Sequence, residues 1–126
     1  MRQNPTRFTL TTTALPGWSG TVNPAVCAPT VNCVVKAEHV QNLSVPSGAS
    51  ALRIKTDWGN PAFDLDLDVY APNGALIASS GQATSTFEEV NIPNPAAGTY
   101  KVVLKGYTNL TTTYTGTAEV DKLVRR

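Results

Sequence analysis

The chain has 126 residues, 41% apolar and 15% charged, with 9 Gly and 9 Pro, which is enough for a single domain around one core and excludes a disordered tail, a coiled coil and a collagen. Ten basic against nine acidic residues leave +1, so charge-driven binding to nucleic acid or anionic lipid is not expected. No apolar run reaches the roughly 18 residues of a membrane span, and Met1-Arg2-Gln3-Asn4-Pro5 carries no apolar signal core.

Twofold alternation of apolar and polar residues dominates, and no segment holds a 3.6-residue apolar stripe of helical length, so the chain reads as all-β. Its 17 threonines, clustered at Thr11 to Thr13 and Thr111 to Thr113, suit strand faces because β-branching fits the pleat. The first predicted strand is Phe8 to Thr12. A Pro/Gly-rich connection follows from Leu15 to Asn32, carrying Trp18 within Pro16-Gly17-Trp18-Ser19-Gly20. Cys27 and Cys33 lie at its end or just beyond. Two cysteines this close, with no third in the chain, read as a local disulfide pinning a long connection, which would place the protein outside the cytoplasm. The alternative is two reduced, half-buried thiols. Zinc is disfavoured because His39 is the sole histidine and a closed site needs four ligands.

Next come a strand over Val34 to Leu43, a turn at Pro46-Ser47-Gly48, and a strand in which Leu52, Ile54 and Thr56 alternate with Arg53, Lys55 and Asp57. The strongest signal runs from Phe63 to Tyr70. Phe63, Leu65, Leu67 and Val69 are expected inward, with Asp64, Asp66, Asp68 and Tyr70 outward. Pro72-Asn73-Gly74 is a tight turn into Leu76 to Ser80, completing a hairpin. Phe87 to Ile92, then Tyr100 to Lys105, follow. The last strand points Tyr114, Gly116, Ala118 and Val120 inward, and Lys122 to Arg126 form a basic, frayed tail. About eight strands at this spacing predict a single-domain, two-sheet antiparallel β-sandwich, with a jelly roll favoured over a fibronectin-like arrangement. Residues 1–33 supply the first strand and the Cys-containing loop, 34–121 the core and 122–126 the tail.

The sequence Asp64-Leu-Asp-Leu-Asp-Val-Tyr-Ala-Pro-Asn-Gly, then Ala78-Ser-Ser-Gly and Asn94-Pro-Ala-Ala-Gly-Thr-Tyr-Lys-Val-Val-Leu-Lys-Gly-Tyr, resembles the bacterial pre-peptidase C-terminal domain. The likeness spans roughly residues 36 to 120. It implies a β-sandwich appended to secreted proteases and other exported enzymes, without catalysis of its own, associated with secretion, with attachment to insoluble substrates and in some relatives with calcium.

Between Lys55 and Lys101 there is no Lys or Arg, while Asp57, Asp64, Asp66, Asp68, Glu88 and Glu89 all fall there. Alternate aspartates on one strand face sit about 6.5 to 7 Å apart and repel unless something neutralises them. Calcium takes six to eight oxygens, so Asp64, Asp66 and Asp68 could supply part of a set, with Asp57, Asn60 and Glu88 as candidates for the remainder. Glu88 shares the phase of Val90 and Ile92 and is expected inward. The competing reading is a solvated acidic stripe crossed by Arg53, Lys55, Lys101 and Lys105.

Trp18, Trp58, Tyr70 and Tyr107 are candidates for a surface that stacks on sugar rings or polymer side chains, the two indoles alternatively being lids over the core. Catalysis is not expected, because His39 lies in a strand without a nucleophile motif nearby. Asn42-Leu-Ser and Asn109-Leu-Thr fit the glycosylation pattern. These readings converge on a non-catalytic, secreted accessory module that binds an extracellular polymer or supports export and stability of a linked catalytic domain, with calcium as a candidate stabiliser. A cell-surface or filament assembly protein and a calcium-dependent lectin are the alternatives.

Overall fold

The computed structural model describes residues 8–26, 37–81 and 85–125. Among them there is no helix. Ten strands run in order: β1 (Phe8–Ala14), β2 (Trp18–Val22), β3 (Ala25–Val26), β4 (Glu38–Val45), β5 (Ala49–Asp57), β6 (Asp64–Tyr70), β7 (Leu76–Ser80), β8 (Phe87–Pro93), β9 (Gly98–Asn109) and β10 (Thr112–Arg125). The proposed Cys27–Cys33 pairing lies outside the described residues.

One sheet has the order β1-β10-β5-β8, with β2 also on β10; the other has β3-β9-β6-β7, with β4 also on β9. Every pairing is antiparallel. We call them sheets A and B. β1 and β2 occupy successive stretches of the same edge of β10, separated by Leu15-Pro16-Gly17. Leu15 still donates its amide to the Ala118 carbonyl at 2.9 Å, whereas Pro16 has no amide to give, so the edge breaks there. β3 and β4 divide one edge of β9 in the same way. Counting each interrupted edge as one strand gives eight. These alternate between the sheets along the chain except at the β6–β7 hairpin, which is the expected jelly roll.

The alternation read from the sequence builds the core. Leu52, Ile54, Leu65, Leu67, Val69, Val102, Leu104 and Val120 are fully or almost fully buried between the sheets, each worth roughly 1.5 to 3 kcal/mol relative to exposure. Tyr100 joins them, and its hydroxyl donates back to the Ala96 carbonyl at 2.7 Å. That bond anchors the β8–β9 connection and satisfies a polar group that burial would otherwise penalise.

Two expectations change. Trp18–Val22 and Ala25–Val26 are strands inside the stretch expected to be a long loop, because β10 and β9 offer paired partners to glycine- and proline-punctuated residues. The expected frayed tail is strand through Arg125, since Lys122 to Arg125 pair with Phe8 to Thr11. At the β6–β7 turn, Ala71 donates to Ala75 and Gly74 to Ala71, both at 2.8 Å. Gly74 there has φ 89°, a conformation glycine adopts without steric cost.

Candidate functional site

The acids of β6 alternate with Leu65, Leu67 and Val69, all fully buried, and so stand outside the core as their phase requires. They do not act as a set. Asp68 is buried because it is engaged: Lys105 Nζ lies 2.5 Å from its Oδ2, and Ser79 Oγ donates to its Oδ1 at 2.8 Å. The bond between Lys105 and Asp68 raises the pKa of Lys105.

Asp66 lies opposite Lys105 in register and packs against Gly81, where a Cβ would come within 2.9 Å of its Oδ1. A register shift separates Asp64 from Leu65, and the Asp64 Oδ1 is buried without a hydrogen-bond partner. Both carboxyls are pushed above the ordinary carboxylate range. For Asp64 the cause is burial, then the charge of Glu88. For Asp66 it is burial, then Asp64 and Glu88, with Lys105 opposing. Mutual repulsion and desolvation both disfavour the charged forms.

Glu88 points inward, as its phase predicted, and is only 1% exposed. It accepts a hydrogen bond from Ser80 Oγ where β7 meets β8. Across β5, Thr56 stands opposite Glu88; it is fully buried, and its Oγ1 has no hydrogen-bond partner. Asp64, Asp66 and Glu88 thus share one electrostatic neighbourhood at the margin of the sandwich.

The other metal candidates have different surroundings. Asp57 ends β5 between Phe87 and Thr115, and Asn60 Oδ1 accepts the Ala62 amide at 2.9 Å. Among the described residues, no three His, Cys, Asp or Glu side chains are grouped as metal ligands. Of the bases expected to cross the acids, Lys105 alone is paired with one of the β6 carboxylates. Arg53 is on sheet A, bonded to Glu119 at 2.7 Å and to both Asp121 oxygens at 2.6 Å. Lys55 sits over the Phe87 ring at 4.4 Å.

The aromatic candidates separate into core and surface. Trp58 is buried, with its Nε1 donating to the carbonyls of Asn60 and Phe63. Trp18 lies against the backbone of β10 so closely that a Cβ on Gly116 would fall 2.0 Å from its ring. Both indoles cover the core. Tyr107 is exposed at the β9 side of the register shift, and Tyr70 is half-buried on the outer face of sheet B.

There Tyr70 stands opposite Lys101, and Val40 opposite Val103. With Glu38 and Pro72 they line a groove of about 510 Å³. Sequence reasoning found Tyr70 but missed the valines. Their signal was apolar residues on the outward phase of two strands whose pairing could not be read beforehand.

His39 is bound to the Tyr114 hydroxyl at 2.6 Å through Nδ1, with its ring packed over Gly20, so it serves the joint between β4, β2 and β10. Of the two sequons, Asn42 is exposed, whereas Asn109 is buried with its amide donating to the carbonyls of Asn23 and Leu110.

The model of the bacterial pre-peptidase C-terminal domain matches residues 38–106, from β4 into β9. Pyrolysin of Pyrococcus furiosus is 38% identical over 71 residues, which make up 54% of this chain and 5% of pyrolysin. The chain therefore spans a small fraction of that relative's length.

Proposed function

Because the chain belongs to the bacterial pre-peptidase C-terminal domain family, we propose that it is a non-catalytic accessory module of a secreted bacterial protein, binding an extracellular polymer through the outer face of sheet B. The groove holding Tyr70 carries this reading. An aromatic ring and two valines line it together with Glu38 and Lys101, a combination that accepts a sugar ring or an apolar side chain and offers partners to its polar groups. Tyr70, Val40, Val103 and Lys101 stand on the paired strands β6, β4 and β9, so their backbone needs no ordering on binding.

Retention on chitin, cellulose and collagen, compared with Tyr70→Ala, tests it. The expected result is retention on one of these polymers, reduced in the variant at an unchanged melting temperature. No retention on any of them, or retention indifferent to Tyr70, would remove the reading.

A second reading concerns stability of the module. The orphaned Oδ1 of Asp64, next to the repelling charges of Asp66 and Glu88, suits a calcium ion held by the Asp64 carboxylate with backbone and water oxygens completing the set. Such an ion would satisfy the buried oxygen and neutralise the repulsion. A melting temperature that rises with calcium and falls on chelation is the expected result.

A further inference from the structure

We propose that β1 is a self-association edge, through which two copies of this chain join antiparallel about a twofold axis. β1 pairs with β10 on one side, from Phe8↔Arg125 to Ala14↔Glu119, and has no strand on its other side among the described residues. All seven of its residues are exposed. A strand so placed presents a row of unpaired backbone N–H and C=O groups, and their complement is another extended strand.

Other edges are blunted in ways that β1 is not. β8 carries Glu88, Glu89 and Pro93, β4 carries Glu38, β2 and β7 have only five residues each, and β3 has two. Charge, proline and shortness all discourage edge pairing. Phe8–Ala14 has no charge, no proline and no register shift. Phe8 and Leu10, 57% and 58% exposed, stand beside Leu123, 56% exposed, directly opposite Leu10. A joined sheet would flank this apolar row with a second one.

The strand suits its own copy. Centred on Thr11, an antiparallel pairing of Phe8–Ala14 with itself uses all seven residues. It sets Thr9 against Thr13, Leu10 against Thr12 and Phe8 against Ala14, with no like charges meeting. Such an isologous contact closes on itself, giving a dimer and no open filament. It lies on sheet A, so it stands independently of the groove on sheet B.

Sedimentation velocity of the chain from low to high micromolar concentration should show a monomer passing to a dimer. Thr11→Lys and Thr11→Glu, which place like charges opposite one another at the axis, should each weaken association at least about tenfold, and an equimolar mixture should restore it. Hydrogen exchange of the unaltered chain at high and low concentration adds a readout that needs no variant, with protection expected to rise at Phe8–Ala14. A monomer at every concentration, a dimer that both variants keep, or protection gained away from β1 would overturn the proposal.

Discussion

The Tyr114 hydroxyl lies 2.6 Å from His39 Nδ1 and receives the Trp18 indole N–H at 3.2 Å. An indole nitrogen only donates, so the phenol oxygen accepts from Trp18, and it shares a second hydrogen bond with His39 Nδ1. This chain of bonds ties β2, β4 and β10 together where the edges of the two sheets meet. The rings of His39 and Tyr114 add an edge-to-face contact at 5.5 Å.

Tyr114→Phe is therefore expected to loosen that corner. It removes two hydrogen bonds while keeping the ring, and the half-buried Trp18 and His39 recover part of the loss from water. A destabilisation of about 1 kcal/mol should follow, read as a lower denaturant midpoint with an unchanged slope. A midpoint equal to that of the parent chain would contradict the role given to the hydroxyl.

Gly116→Ala should be costlier. The added Cβ would sit 2.0 Å from the Trp18 ring, against the backbone of β10, so the indole must move or the β2–β10 pairing must open. Overpacking of this kind costs roughly 1 to 3 kcal/mol. Trp18 fluorescence should report the displacement at the same time, with Trp58 as a second, unaltered contribution that Trp58→Phe removes.

How much of this was legible beforehand depends on the range of the cause. Leu65, Leu67 and Val69 could be placed inward, and Glu88 too, because a twofold phase is local. β2 was hidden: Pro16, Gly17 and Gly20 read as punctuation, and the strand exists because Gly116 and its neighbours pair with it from far along the chain. The acids show the same division. Their face was legible, but Asp68 belongs to Lys105 through register and diagonal reach across β9, which a single sequence does not contain. The groove around Tyr70 was missed for the same reason, since Val40 meets Val103 only once β4 and β9 are aligned.

Acid should weaken the outer face of sheet A. Arg53 and Thr12 bond Asp121 and hold its carboxyl down at about 2, against an ordinary 3.8. A lowered folded-state pKa contributes stability that is fully present above 3.8 and lost as pH falls through about 2. Melting temperatures between pH 5 and pH 2 should fall more steeply for the parent chain than for Asp121→Asn. Parallel curves would show that the contact with Arg53 contributes nothing to folding.

Asp64 and Asp66 should act in the opposite sense. Their folded-state pKa values are raised above 3.8, so the folded chain holds protons that the unfolded chain has released. Stability from this pair therefore falls as pH rises from 3.8 through the raised values. Asp64→Asn removes one repelling charge, and in chelator it should melt higher than the parent chain at neutral pH. If calcium occupies this margin, the parent should gain in melting temperature on adding the ion while the variant gains little, reversing the order of the two proteins. A variant less stable than the parent in chelator would mean that the Asp64 carboxylate has a favourable partner and that repulsion does not govern this end of the sandwich.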